Sequence, residues 1–467
     1  AQPLLSSPRP GLHASPLLFL SRYSAYTYNL EKDLSALQRY DFLQREAPST
    51  AFGALMEENG ESRGGRAPIP AEVLRLNDEQ CAAVQSARTD RLSVVTGPPG
   101  TGKSQVVVDL LASAVLDDTP VLFASKNNKA VDVVRERLRE ILGEPFDFTF
   151  RLGSRRAMED TEKKFRDRLD RLEDRQEELR SQFSPAERKK AQGRVDDVRE
   201  AMSALQEARE DLQSAVAARE EVEKKLPADW TRTDPPGSPE ALPLRELQQT
   251  VSRAKALAGE TRLGFWLWIQ RLVMGARLLQ GLQEDAEALT EPLPMAVRTD
   301  AYQRIYGAES YGGVLEVLRR LQTYRTWIER HAEEREARRA FDARLDGAAG
   351  YDERMHELQT ELTEASRALF RIAWTGSIVR NLSAVRRRVR EYFEAVRGIR
   401  NTAPSGYRNA LDRLERATSR LAEYLPVWIV TNLSVRNALP LRPNLFDLAI
   451  VDEASQCDVA SGVPLPF

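Results

Sequence analysis

Polar and apolar positions fall into three regimes along this chain. From Leu76 to Phe150, short apolar runs alternate with amphipathic stretches. Asp78 to Ala87 suits a short helix, and Leu92 to Thr96 is a β-rich run. Lys103 to Leu116 suits a helix, Val121 to Ala124 a strand and Ala130 to Leu142 another helix; Phe146 to Phe150 alternates like a third strand. Strand–helix–strand–helix–strand predicts a parallel sheet with helices on its faces.

The second regime steps by three and four. Phe165, Leu169, Leu172, Gln176, Leu179 and Phe183 form one seam; Val195, Val198, Met202, Leu205, Arg209, Leu212 and Val216 form the next. Two more run from Met355 to Ile372 and from Ile378 to Val396. Heptad spacing with charged flanks predicts long helices that pair as coiled coils. Ser184-Pro185-Ala186-Glu187 is a helix start, with Ser as N-cap, Pro at the first helical position and Glu as capping-box partner. A helix from Pro185 to Leu226 would be about 60 Å long. Prolines at 227, 235, 236, 239 and 243 predict a linker, and 346–350 and 401–406 predict turns between helices.

Strand character returns at Val427–Thr431 and at Leu448–Asp452. The expected organisation is therefore a sheet domain in two parts, 76–155 and 425–467, separated by a helical insertion over 156–424, with residues 1–75 of uncertain fold. No internal sequence repeat is present.

Composition changes this picture little. The 467 residues have room for about two to four domains. With 68 basic and 70 acidic residues the net charge is −2, so no partner is implied by total charge. Charged residues at 30% and aromatics at 7% favour long solvated helices. Cys81 and Cys457 make neither a disulfide framework nor a metal cluster, and three scattered histidines add no ligand set, which points to a reducing cytoplasm. The longest strongly apolar stretch, Phe265 to Ile269, is too short to span a bilayer and reads as packing core rather than a membrane finger. No signal-peptide layout opens the chain, and no membrane partner is expected.

The chemistry sits in two distant segments. Gly97-Pro98-Pro99-Gly100-Thr101-Gly102-Lys103-Ser104 matches the phosphate-loop pattern G-x-x-x-x-G-K-[ST] in full. Its glycines let backbone N–H groups approach phosphate oxygens, and the following helix directs its positive end at them. In this pattern Lys103 reaches the β- and γ-phosphates of ATP, and Ser104 ligates Mg²⁺. The second segment lies 348 positions beyond Ser104, where an apolar strand ends in Asp452 and Glu453. Asp452 would hold the Mg²⁺ shell and Glu453 would orient or deprotonate the attacking water.

Together, the loop at 97–104 and Asp452-Glu453-Ala454-Ser455-Gln456 resemble superfamily 1 helicases of the up-frameshift/senataxin type. Further segments fit. Leu76-Asn77-Asp78-Glu79-Gln80 is similar to the adenine-reading Q motif, a role to which the Gln80 amide is chemically suited. Val121 to Asp132 resembles motif Ia, Arg151-Leu152-Gly153 resembles motif Ib, and Trp428 to Thr431 resembles the segment whose Thr contacts the strand. One departure is that Lys126-Asn127, not Pro-Ser, precede Asn128. The resemblance covers about 76–155 and 425–467. It implies an α/β fold, a RecA-like parallel-sheet P-loop domain interrupted by a long all-α, coiled-coil-rich insertion. It further implies ATP and Mg²⁺ as cofactors, Lys103, Asp452, Glu453 and Gln456 as catalytic residues, and Gln80 with the 97–104 loop as the nucleotide cradle. Asn128 and Thr431 would contact single-stranded DNA or RNA, and the helical arm would extend that track or recruit a protein partner.

Because the family's later motifs and second motor domain have no counterpart before Phe467, the resemblance implies the first motor half of a longer protein, one that does not unwind duplexes alone. Three alternatives remain at this point, one of them non-enzymatic: the insertion as a protein-interaction arm on a motor that has lost its activity. An SMC-type ATPase also separates its half-sites by a coiled coil, but no Leu-Ser-Gly-Gly signature is present. An AAA+ remodelling ATPase shares the loop, but its acidic pair normally follows much sooner. The basic run Arg386 to Arg390 reads as a solvated helix face ahead of a phosphate contact.

Overall fold

The computed structural model describes residues 69–454, apart from 99, 144–145, 153–154, 233, 236–238, 262–264, 402–405, 432–434 and 441–444. Readings placed on the first 68 residues, on Pro99, on Gly153, on the side chains of Phe265 to Trp268, on the centre of the 401–406 turn and on everything from Ser455 onward, including Gln456 and Cys457, lie outside the described residues.

In chain order the elements are α1 (Asp78–Thr89), α2 (Lys103–Leu116), β1 (Val121–Ser125), α3 (Asn128–Leu142), β2 (Phe150–Leu152), α4 (Arg155–Glu173), α5 (Gln176–Gln182), α6 (Pro185–Glu223) and α7 (Ala228–Thr231). After a 3-10 turn at Pro239–Ala241 come α8 (Leu244–Ala258), α9 (Phe265–Ala288), α10 (Met295–Tyr306), α11 (Tyr311–Leu345), α12 (Tyr351–Arg380), α13 (Leu382–Asn401) and α14 (Tyr407–Ala422). β3 (Val427–Thr431), α15 (Val435–Ala438) and β4 (Leu448–Asp452) complete the described chain. Every described element between β2 and β3 is helical. The chain divides into two compact units: Asp196–Gln359 forms one, and the described residues before and after it form the other.

The sheet belongs to the second of these. Its order is β2-β3-β1-β4, and all three pairings are parallel. Parallel neighbours require long crossovers, which the intervening helices supply. β1 is buried along its whole length, and Val427 to Val430 of β3 are buried as well, which is why both read as unbroken apolar runs. β4 is an edge strand and is only half covered. In register, Ser125 lies between Thr431 on one side and Asp452 on the other.

Several expectations are corrected. Leu92 to Thr96 forms no strand; Val94 is 80% exposed and Leu92 is exposed as well. Its β-rich composition has no ladder alongside to pair with, and β-propensity is realised only against a neighbour. The expected strand over 146–150 begins only at Phe150. Upstream of it, the buried Asp147 carboxylate accepts hydrogen bonds from the Thr149 N–H (3.2 Å) and hydroxyl, and Arg168 and Arg135 close on it at 3.3 and 3.5 Å. Side-chain bonding of this kind competes with the ladder.

The first heptad seam is broken between Glu173 and Gln176, and its Phe165, Leu169, Leu172, Leu179 and Phe183 join the core beneath the sheet. So does the seam from Ile378 to Val396. A heptad stripe states that a helix buries one face, not what that face meets. The helix start at Ser184-Pro185 is found as expected, with the Glu187 N–H donating to Ser184 Oγ at 3.3 Å, and α6 runs 39 residues.

The helical unit has its own core. α8 packs along α11, α9 packs against α8, α10 and α11, and α10 packs against α11, around a core that includes Trp230, Tyr324 and Trp327. Trp230 is fully buried and donates its indole N–H to Asp300 at 2.9 Å. The proline-rich stretch expected as a linker is therefore anchored here; truncating a tryptophan so buried typically costs about 3–5 kcal/mol. α11 ends at Asp346 and Gly347, both with left-handed backbone (φ 49 and 86), which turns the chain into α12 as the sequence predicts. Arg219 of α6 pairs with Glu334 of α11 at 2.6 Å, and Arg209 of α6 stacks over Tyr351 at the start of α12, 4.0 Å from the ring centre.

Candidate nucleotide and strand site

The glycine loop leads straight into α2. Gly102 is the N-cap residue and, like Gly100, has a left-handed backbone (φ 79 and 89) that L side chains rarely adopt. A Cβ on Gly102 would strike the Gln80 and Gln105 amides at 2.3 and 2.4 Å, whereas the space beyond Gly100 is open. The loop is closed by Thr101, whose hydroxyl donates to the Pro98 carbonyl at 2.9 Å. Lys103 folds back over it, its ammonium donating to the carbonyls of Gly97 (2.6 Å) and Pro98 (3.2 Å). The N–H groups of Lys103 and Ser104 lie in the first helical turn, where a helix has no internal acceptor to offer.

Gln80 is bound to this loop from the side. It forms a reciprocal capping box with Asn77 at the start of α1, donating its N–H to Asn77 Oδ1 (2.8 Å) and accepting the Asn77 N–H on Oε1 (2.9 Å). Its Nε2 donates to the Thr101 carbonyl at 3.0 Å and to Gln105 Oε1 at 3.3 Å. Both ends of the amide are committed, so Gln80 acts here as a strut between α1 and the glycine loop.

Asp452 closes the site from β4. Burial pushes its carboxyl above the usual range and the nearby Glu453 charge adds to this; the Glu453 N–H, Lys103 and the Ser125 hydroxyl act the other way. Glu453 has a left-handed backbone (φ 54), a conformation costing a non-glycine residue about 1–3 kcal/mol and found preferentially at functional sites. Among the described residues no group of three or more His, Cys, Asp or Glu side chains forms a metal cluster. Mg²⁺ is commonly held by one or two protein oxygens together with nucleotide phosphates. Ser104 and Asp452 offer such a pair, and the open glycine cradle fits a polyphosphate.

Ser125 lies within the segment that resembles motif Ia but was not among the expected site residues. Its side chain is fully buried at the end of β1, and its hydroxyl donates to Asp452 while its Oγ accepts the Asn127 N–H at 3.2 Å. It therefore ties the acid of β4 to the start of α3. Asn127 caps α3, its side chain accepting the Lys129 N–H at 2.9 Å, which gives the departure before Asn128 a local purpose. Asn128 is exposed just beyond β1, and Thr431 ends the neighbouring β3, so both stand at the carboxyl ends of adjacent strands. Arg151 is paired with Asp132 of α3 at 2.5 Å. Most of the basic run on α13 is paired: Arg386 with Asp170 and Glu173, and Arg387 and Arg388 with the one carboxylate of Glu391.

Comparison with known proteins agrees with this geometry. Residues 75–257 match the family model described as an AAA domain. A 74-residue stretch is 42% identical to the Schizosaccharomyces pombe protein named "Helicase required for RNAi-mediated heterochromatin assembly 1", covering 15% of this chain and 7% of that one. The chain is 30% identical over 123 residues to "Regulator of nonsense transcripts 1" of Dictyostelium discoideum (24% of this chain, 9% of that protein) and 36% identical over 84 residues to "DNA-binding protein SMUBP-2" of Rattus norvegicus (16% and 8%). The matched stretches thus span less than a tenth of these relatives' lengths. No solved structure gives a significant match. The resemblance to superfamily 1 helicases of the up-frameshift/senataxin type is borne out, and the SMC-like or AAA+ alternative is not favoured.

Proposed function

We propose, from the premise that this chain carries a motor domain of superfamily 1 helicase type, that it hydrolyses ATP and couples hydrolysis to movement on single-stranded DNA or RNA. The observation that carries this reading is the meeting of the two distant half-sites, with Asp452 close enough to Lys103 for their charges to interact. Lys103 would exchange the carbonyls of Gly97 and Pro98 for the terminal phosphates, Ser104 and Asp452 would hold Mg²⁺, and Glu453 with Gln456 would position the attacking water. Gln80 would read adenine by exchanging its present partners for the base edge. The sheet is read as RecA-like, and the division into 76–155, 156–424 and 425–467 as a split motor domain with a coiled-coil-rich insertion. The pairing of α6 with α11 through Arg219–Glu334 and the tight α11–α12 turn support antiparallel helices there. No described helix is long and apolar enough to cross a membrane, and a cytoplasmic setting is the proposed one.

Asn128 and Thr431 supply the test. They would contact the phosphodiester backbone, giving sequence-tolerant, salt-sensitive binding. Asn128→Ala with Thr431→Ala is expected to weaken single-strand affinity by about tenfold, as loss of two backbone contacts implies, and to lower strand-stimulated ATPase while nucleotide affinity holds. Oligonucleotide anisotropy across a salt series measures it, and an unaltered affinity would return the field to the SMC-like and AAA+ readings.

Ser125 gives a second prediction. Removing a partner that orients a metal ligand typically costs about 10–100-fold in metal affinity. Ser125→Ala is expected to raise the Mg²⁺ concentration needed for half-maximal binding of a fluorescent ATP analogue by about tenfold, and Ser125→Thr to restore it. An unchanged Mg²⁺ midpoint in Ser125→Ala would remove the hydroxyl from the site.

A further inference from the structure

α13 and α14 pack against each other along their length, and between them lies a groove of about 520 Å³. It is lined by Arg413, Arg416 and Arg420 of α14 and by Glu391 and Glu394 of α13, with small residues such as Gly398 leaving it open. The three arginines are exposed and, at intervals of three and four residues, share one helix face over about 10 Å.

Several helix arginines elsewhere in the chain take the carboxylate one turn away: Arg320 with Glu316, Arg325 with Glu329, Arg338 with Glu334. Arg416 has Asp412 four residues before it, and Arg420 has Glu423 three residues after it. Both line the groove instead, and among the described residues no carboxylate lies within ion-pairing distance of any of the three. Of the groove's two acids, Glu391 is already balanced by Arg388 at 2.7 Å. Glu394 alone is left to offset three guanidinium groups, so the groove carries an excess of positive charge.

We infer that this groove is a binding site for the phosphodiester backbone of single-stranded nucleic acid, held by Arg413, Arg416 and Arg420. Guanidinium forks match phosphate oxygens two at a time, and a row of them along a helix suits a repeating anion better than a single one. α14 leads within a few residues into β3, which ends at Thr431, so the same stretch of chain carries this groove and a proposed strand contact. The inference rests on the strand-binding reading above and extends it to residues that no family motif contains.

The test compares the wild-type chain, Arg413→Gln/Arg416→Gln/Arg420→Gln and Asn128→Ala/Thr431→Ala, using fluorescein-labelled oligo(dT) and oligo(U) from low to physiological salt. On single strands each neutralised phosphate adds about 0.7 to the log–log salt slope. The arginine variant is expected to reduce that slope by about two and to weaken binding at least tenfold at low salt, for either oligonucleotide. Its melting temperature and nucleotide affinity stay at wild-type values, since the side chains are exposed. An unchanged slope and affinity in the folded arginine variant, with loss in the Asn128/Thr431 variant, overturns the groove and leaves the motor reading standing. Failure of the wild type to bind either oligonucleotide overturns both. Competition by polyglutamate equal to that by unlabelled oligonucleotide also overturns the assignment, in favour of an acidic protein segment.

Discussion

Lys103→Ala is expected to reduce ATP hydrolysis by at least about a hundredfold, the scale at which removal of a single group stabilising transition-state charge is felt, while leaving the fold intact. Both halves of that expectation come from the same hydrogen bonds. The ammonium is held by the Gly97 and Pro98 carbonyls, which sit at the exposed face of the loop. Water can replace the lysine there, so little stability is lost. Lys103 is the cation of the 97–104 loop, so on the proposed reading its removal takes the loop's own charge from the terminal phosphates. Phosphate release and thermal melting, measured on the same preparation, separate the two effects. Wild-type hydrolysis by the variant would rule the loop out as the catalytic cradle. A collapse of the melting temperature would instead make Lys103 a structural residue.

How much of this was legible in the sequence depends on whether the signal was local. The glycine loop and α2 were readable to the residue, because the loop pattern and the helix that follows it are local properties of 97–116. β1, β3 and β4 were readable because strands in a parallel sheet appear as apolar runs. What pairs with what was not. Leu92 to Thr96 has the composition of β1 but no neighbour, and the seam from Ile378 to Val396 has the spacing of a coiled coil but packs under a sheet. Ser125 was hidden for the same reason: its meaning lies in the register that sets it beside Asp452, over three hundred residues away. The basic run at 386–390 drew attention by its density, yet Arg386, Arg387 and Arg388 are paired. The sparser arginines of α14, spaced by the helix rather than the chain, are the ones left facing a groove.

Asp109 interrupts the apolar run Val106 to Leu116 on α2, six residues after Lys103, and it is fully buried. Its Oδ1 accepts the Leu74 N–H at 3.3 Å, and its Oδ2 has no hydrogen-bond partner. The segment it grips is also held by Arg367, which donates to the Val73 carbonyl at 2.8 Å, and by Ser366, whose Oγ accepts the Glu72 N–H at 3.0 Å. Asp109 thus fastens the glycine-loop helix to the stretch that enters α1 and presents Gln80.

Burial pushes the Asp109 carboxyl up to about 8; the N–H groups of Leu74 and Val73 oppose this, Glu72 adds to it and Arg367 subtracts. In the unfolded chain the same group titrates near 4. Between these values the folded protein holds one proton more than the unfolded one, so the stability from this group is full below about pH 4 and is lost as pH rises towards 8. At about 1.4 kcal/mol per pKa unit, the loss is on the order of a few kcal/mol. Asp109→Asn keeps a neutral side chain of the same shape at every pH. It is expected to match the wild type at about pH 4, where the carboxyl is protonated in both states, to exceed it by a growing margin up to pH 8, and to have a flatter pH dependence between. Urea unfolding of both proteins at about pH 4, 5, 6, 7 and 8 measures this, and the difference between the curves cancels every other titrating group. Parallel curves would mean that Asp109 is ionised in the folded protein. A gap that widens from about pH 4 to pH 8 would identify it as the group that loosens the fastening between the glycine-loop helix and Gln80 as pH rises.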